Sequence, residues 1–294
     1  MKAKRINIGY IYALAGGFIC GLIPVLIQKI LTQDTLPRAT ALFIKFVVSS
    51  IILLPFAAPR FKKVTYPKGI FWKLLVYGVF YVATLILLYE SYRFVDVGIG
   101  SGLYYCFPLF TMGISVLFFG FRCNKMNVTA IILTLVGTIL LSTGSLNSDN
   151  AYIGILLAIG SALAYACCLL WLEHQHLTAM DTTVIVALRI LASTVLLFVY
   201  VLVTGQLTFS ISLETLLGLA LSGVATILAS VCVNISIRHI GSVYSSILSS
   251  VDPIVCALAG YFVLSEVISL RSGIGIVVIL VATILVALSK KEKK

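Results

Sequence analysis

Ten apolar stretches, each close to the length of one membrane-spanning helix, alternate with short polar breaks along the chain. They run over Ile8–Leu31, Ala39–Ala58, Ile70–Tyr89, Gly98–Gly120, Val128–Ser145, Tyr152–Glu173, Thr182–Val203, Leu213–Ile237, Ser242–Leu264 and Ser272–Ser289. A helix needs about 20 mostly apolar residues to cross the hydrocarbon layer, and these stretches meet that length. The breaks carry turn residues, as in Tyr66-Pro67-Lys68-Gly69 and Thr204-Gly205-Gln206, and none is long enough to hold a soluble domain. The pattern predicts an all-α integral membrane protein of ten transmembrane helices.

Composition agrees. Of the 294 residues, 61% are hydrophobic and 11% charged, against roughly 45–50% and about 25% in soluble domains. Mean hydropathy is +1.13. A net charge of +11 would point to nucleic acid in a soluble protein. Here the cations sit in loops and tails between apolar runs, so they read as a topology signal and no nucleic-acid partner is expected. With the N-terminus cytoplasmic, that side collects Lys2, Lys4, Arg5, Arg60, Lys62, Lys63, Lys68, Arg122, Lys125, Arg238, Lys290, Lys291, Lys293 and Lys294. The opposite side keeps Arg38, Arg93 and Arg271. This predicts an even number of spans with both termini cytoplasmic. With no organelle signal evident, a bacterial inner (plasma) membrane is the expected location.

The halves repeat. Leu135-Val-Gly-Thr-Ile-Leu140 recurs as Leu280-Val-Ala-Thr-Ile-Leu285, an offset of 145 that also lays Tyr92–Leu103 on Ile237–Leu248 and Pro108 on Pro253. An offset of 144 places Lys45 on Arg189 and Ser49 on Ser193, and 142 places Tyr10-Ile11 on Tyr152-Ile153. The expected repeats are 1–147 and 148–294. Five spans in each make the copies inverted relative to each other, an arrangement found in transporters whose site lies between the halves.

These segments carry a family likeness. Pro108…Gly120 with Leu135–Leu140, and Ser245…Pro253…Leu264-Ser-Glu-Val267 with Ala282–Leu285, resemble the EamA-type transporters of the drug/metabolite transporter superfamily. The likeness extends over essentially the whole chain. The second half keeps the pattern's glutamate as Glu266, and the first half departs from it with Phe121. The resemblance implies a ten-helix bundle, alternating access, and a central cavity lined by the first, third and fourth helices of each repeat.

Polar groups inside a span tend to face the bundle interior or a wet cavity. Helical spacing groups Thr226, Ser230 and Asn234; Ser242, Ser245, Ser246, Ser249 and Asp252; Ser101, Tyr104, Tyr105 and Pro108; Tyr77, Tyr81 and Thr84; Gly17, Cys20, Gly21, Pro24 and Gln28; and Ser161, Tyr165 and Cys168. From these, Tyr81, Thr84, Tyr104, Tyr105, Tyr165, Ser230, Asn234, Ser246 and Ser249 are the candidate substrate-binding residues. Small and hydroxylated rows also serve close helix packing. Pro108 and Pro253 are either fixed kinks or gate hinges. Asp252 carries a coupling proton, faces a substrate amine, or makes a structural bond. Lys45 and Arg189 either bind an anionic group or anchor their helices. The family likeness puts those two outside the core substrate helices, which favours anchoring.

No P-loop, His-Glu-x-x-His or Gly-x-Ser-x-Gly occurs. The three histidines are scattered, His174 and His176 do not share a helix face, and the seven cysteines lack metal or redox spacing. No catalytic residue, metal or cofactor is therefore expected. The leading expectation is a secondary active transporter for a small organic metabolite, such as an amino acid or related amphiphilic compound, with the bilayer and a coupling proton as partners. One alternative is a nucleotide-sugar or phosphate antiporter, which requires Lys45 and Arg189 to face the cavity. A more distant one is a membrane-embedded lipid-modifying enzyme. Substrate identity, direction of transport and oligomeric state stay open.

Overall fold

The computed structural model describes residues 2–33, 36–95, 97–122, 124–141, 150–208, 211–264 and 269–288. Glu266, the loop around Asn147 and the lysines after residue 289 lie outside them, as do the side chains of Gln28 and of the first seven residues. Among the described residues every regular element is helical: α1 Lys2–Gln33, α2 Arg38–Phe61, α3 Ile70–Ser91, α4 Val97–Tyr104, α5 Phe107–Phe119, α6 Lys125–Leu141, α7 Ala151–His174, α8 Thr182–Thr204, α9 Leu213–Ile240, α10 Ser242–Leu248, α11 Asp252–Leu264 and α12 Leu270–Leu288. Among the described residues eight helical segments are long and apolar enough to cross a membrane, and α6 and α12 are shorter apolar helices.

Two of the expected spans are broken at matching places. The fourth divides into α4 and α5 at Tyr105-Cys106, and the ninth into α10 and α11 across a 3₁₀ turn, Ser249–Val251. Pro108 stands in the first turn of α5 and Pro253 is the second residue of α11. A proline there lacks only an N–H that the helix start would leave unpaired, so each begins a new helix instead of bending an old one.

Hydrogen bonds sort the helix ends. Arg60 at the end of α2 pairs with Asp181, the N-cap of α8, at 3.4 Å. Trp171 near the end of α7 donates to the Lys73 carbonyl at 2.9 Å. Asn127 near the start of α6 reaches the Tyr244 hydroxyl of α10 at 3.4 Å. At the other end Tyr200 donates to Glu90 at 3.1 Å, Arg93 pairs with Glu90 at 2.9 Å, Thr40 bonds the Gln206 carbonyl, and Arg271 bonds the Ile139 carbonyl. Gly9 of α1 lies against Ile240, the last residue of α9. So α1 starts where α7 finishes, at the end that also carries Arg60, Lys62, Lys63 and Lys68, while Arg38, Arg93 and Arg271 lie at the opposite end.

Helices from the two halves interleave. α1 packs along α9, α3 along α7, α2 on α8, and α6 on α12. The contacts repeat in detail. Gly9 meets His239 and Ile240, and Gly154 meets Phe94 and Val95, so each position in one contact is 145 residues from its counterpart in the other. This register replaces the offset of 142 read from Tyr10-Ile11. Ser50 and Thr194, at the 144 offset, hydrogen-bond each other at 3.0 Å, as equivalent residues do beside an axis of symmetry.

At the end shared by Arg60 and Asp181, Tyr10, Ala13, Met112, Phe121, Ile131, Tyr244, Ile247 and Leu248 pack into one hydrophobic cluster. Beside this cluster the Glu173 carboxylate accepts from the backbone N–H and hydroxyl of Ser242, at 2.7 and 2.5 Å, and so caps α10 from the end of α7. Replacing a capping oxygen costs about 0.5–2 kcal/mol. Glu173→Ala should therefore lower the unfolding midpoint of detergent-solubilised protein in differential scanning fluorimetry, and Glu173→Gln should restore part of it.

Candidate binding cavity

Mid-way along the bundle α1, α3, α7, α8 and α9 enclose a cavity. Its walls are Cys20 and Ile23; Tyr77 and Tyr81; Tyr165, Cys168 and Leu169; Arg189; and Thr226, Ala229, Ser230, Val233 and Asn234. The space between them, mouth included, is about 400 Å³. The sequence builds this locally. Tyr77 and Tyr81 are four apart on α3, and Thr226, Ser230 and Asn234 follow the same four-residue step on α9, so each helix turns one polar stripe to the same point.

Arg189 dominates the electrostatics. It is 3% exposed and sits on the cavity wall. Its guanidinium carbon lies 3.7 Å from the Tyr81 ring centre and 5.8 Å from that of Tyr77. One terminal N–H donates to the Ser230 hydroxyl at 2.5 Å, and that hydroxyl donates to the Thr226 carbonyl at 2.6 Å. Asn234 donates to the Ser230 carbonyl at 2.8 Å. Arg189 Nε and Asn234 Oδ1 are buried without a hydrogen-bond partner. No ion pair involves Arg189 among the described residues; the pairs there are Arg60–Asp181 and Arg93–Glu90.

Lys45 is equally buried, at 2% exposure, with its ammonium 5.2 Å from the Phe46 ring centre. It is an electrostatic neighbour of Arg189 but does not line this cavity. The equivalent cations thus differ: Arg189 stands in the wall and is no remote helix anchor, whereas Lys45 stays behind it. The condition set by the phosphate-type reading, both cations facing the cavity, is met by one.

Of the candidate binding, gating and charged residues named from sequence, the structure gathers Tyr81, Tyr165, Ser230, Asn234 and Arg189 around the cavity and places the other candidates elsewhere. Thr84 donates to the Phe80 carbonyl, and its own carbonyl accepts from Ser161 across the α3–α7 contact. Tyr104 stacks behind the wall, 5.7 Å from Tyr165. Tyr105 donates to Asp252 at 3.2 Å. Ser246 bonds the Val243 carbonyl, and Ser249 faces α1 through the Ala13 carbonyl. Pro108 and Pro253 are buried at the helix breaks. Cys20, Tyr77, Cys168 and Thr226 join the wall from polar rows already visible in the sequence. Ile23, Leu169, Ala229 and Val233 had no signal, because an apolar residue facing a cavity reads like one facing lipid.

Among the described residues no three His, Cys, Asp or Glu side chains come together as a metal site. The walls therefore offer one fixed cation, aromatic faces, hydroxyls and an amide, a set suited to holding a small molecule in orientation.

Comparison with known proteins bears on the fold and the family. No curated protein matches the chain. A solved structure described only as a crystal structure of a protein superposes with a TM-score of 0.80, covering 95% of this chain and 97% of its own, at 14% identity. At that identity the likeness is one of fold. The model of the EamA-like transporter family matches twice, over residues 7–143 and 152–288. The protein is thus a multi-pass membrane transporter of the drug/metabolite type, and its chain belongs to the EamA-like transporter family.

Proposed function

We propose that the protein is a secondary active transporter that moves a small organic metabolite, an amino acid or related amphiphilic compound, across the plasma membrane by alternating access to the central cavity. In this reading α6 and α12 also span, giving ten spans in two inverted five-helix repeats, 1–147 and 148–294, with both termini cytoplasmic. Three features support it: α1 and α7 run in opposite directions, the Gly9 and Gly154 contacts recur at one offset, and basic residues crowd one end. The observation that carries the functional reading is the cavity itself, walled by helices of both halves, with a packed hydrophobic cluster at one end of the bundle.

The experiment is counterflow in proteoliposomes preloaded with candidate metabolites. Saturable exchange of at least one amino-acid-like compound is expected; no flux across a broad panel would sink the reading. A second measurement separates transporter from histidine-dependent enzyme. His174 stacks on Phe119 at 3.5 Å and His176 has a left-handed backbone (φ 56°), a conformation that asparagine tolerates well. The double variant His174→Gln, His176→Asn should retain flux within about twofold, since neither side chain lines the cavity.

A further inference from the structure

We infer that the cavity receives a small carboxylate-bearing molecule with a hydrogen-bond donor beside the carboxylate and an apolar or aromatic body, and that Arg189 takes the charged end. The inference rests on the transporter reading above and narrows its substrate class.

The first ground is unanswered charge. A guanidinium has five N–H donors, and taking it out of water is costly unless an anion or good hydrogen bonds replace the lost hydration. The Tyr81 face and the Ser230 hydroxyl offset part of that cost. They leave Arg189 Nε unpartnered and put no carboxylate within 4.0 Å among the described residues. Lys45, a second buried cation, is a neighbour whose charge repels that of Arg189. Asp252 is held by the Tyr105 hydroxyl, not by either cation. The positive side of the site is thus left for a ligand to answer.

The second ground is a demand of opposite sense on the same wall. Asn234 Oδ1 is buried without a hydrogen-bond partner, on an amide that neighbours the Tyr77 hydroxyl and lies one helical turn from the Ser230 hydroxyl that Arg189 holds. A molecule that brings a planar anion to Arg189 and an O–H or N–H to Asn234 meets both requirements. A 2-hydroxy or 2-amino acid has these groups on adjacent carbons. Its side chain then falls among Tyr77, Tyr165, Ile23 and Val233, which supply ring faces and apolar surface. An organic cation can bring an N–H to Asn234 but leaves Arg189 unanswered and is repelled by the fixed charge.

The test uses matched compounds: 3-phenyllactate and phenylalanine against their carboxamides, phenethylamine, and 3-phenylpropanoate, which lacks the donor. Binding is read from the unfolding midpoint of purified protein in detergent and from inhibition of counterflow. The acids should bind at least about tenfold more tightly than the amides and the amine, the loss expected when a charge-assisted hydrogen bond to a buried arginine is removed. Phenylpropanoate should fall between them. Arg189→Gln should abolish the preference for acid over amide, and Arg189→Lys should keep part of it. Should Arg189→Gln fail to give a monodisperse protein, the wild-type comparison decides alone. Equal binding of acid and amide, tighter binding of the amine, acid preference retained in Arg189→Gln, or no binding by any acid would each overturn the inference. Counterflow of an amine or a neutral compound would do so while leaving the transporter reading intact.

Discussion

Gly21→Leu is expected to yield no monodisperse protein, and Gly21→Ala to lower the unfolding midpoint in detergent by several degrees. A Cβ at this position would run into the Asp252 carbonyl oxygen and would lie 2.8 Å from Val255 Cβ and 3.1 Å from the Cys256 backbone nitrogen. The nearest obstacle is backbone at the start of α11, which no rotamer change can move. Gly17, one turn earlier on α1, meets the Ser249 carbonyl in the same way at 2.7 Å. Pro253 has no N–H to reach that carbonyl, which accepts from the Asp252 backbone N–H three residues on instead. The Gly-x-x-x-Gly row of α1 therefore lets two backbones touch where the ninth span is broken, as small residues do between membrane helices. Overpacking a well-filled contact costs about 1–3 kcal/mol for one or two methyl-sized groups, and a leucine adds four carbons against fixed atoms. Gly113 is the control, because nothing lies within 4 Å of the place a methyl group would take there on α5. Gly113→Ala should hold or raise the midpoint by removing backbone entropy, worth about 0.5–1 kcal/mol in a helix. Size-exclusion profiles and scanning fluorimetry of the three variants check this, and a normal profile for Gly21→Leu would refute the packing account.

The contrast between Gly17, Gly21 and Cys20 shows what the chain discloses and what it withholds. All belong to one row on the first span, yet the glycines pack on α11 and its preceding turn while Cys20 reaches the cavity. In water a helix reveals its inner face by being apolar there. In a bilayer both the lipid face and the packed face are apolar, so spacing shows which residues share a side without saying what that side meets. Eight of the ten expected spans, the gathering of Arg60, Lys62, Lys63 and Lys68 at one end of the bundle and the Thr226-Ser230-Asn234 stripe were legible because each follows from length, charge or a four-residue step. The inward turn of Arg189 was not. Lys45 matches it in sequence position, and only the packing of α2 and α8 against α9 makes one line the cavity and the other sit behind. The paired helix breaks were half legible: Pro108 and Pro253 marked the places, but a proline does not announce whether its helix bends or restarts.

Tyr105→Phe is expected to lower the unfolding midpoint by roughly 3–10 °C while leaving helix content unchanged. The Tyr105 hydroxyl donates to Asp252 Oδ1 at 3.2 Å, and both residues are buried. One sits at the break between α4 and α5, the other at the start of α11 after the 3₁₀ turn, so this single bond ties together the interruptions of the two halves. Removing the hydroxyl strands a carboxyl that has no other side-chain hydrogen-bond partner among the described residues. A stranded buried polar group costs about 1–3 kcal/mol, more when charged, and in a domain of this size each kcal/mol moves the midpoint by about 2–4 °C. Asp252→Asn keeps an acceptor for the hydroxyl and should cost far less. Adding Asp252→Leu to Tyr105→Phe removes the stranded group and should recover part of the loss, giving a coupling energy in the double-mutant cycle. Additive losses, or a Tyr105→Phe midpoint equal to wild type, would mean the bond does not hold the two breaks together. If these breaks are the hinges of alternating access, Tyr105→Phe protein should also label more rapidly with a thiol reagent at Cys20, whose neighbours include Asp252 and Arg189, because a looser link between the halves opens the cavity more often.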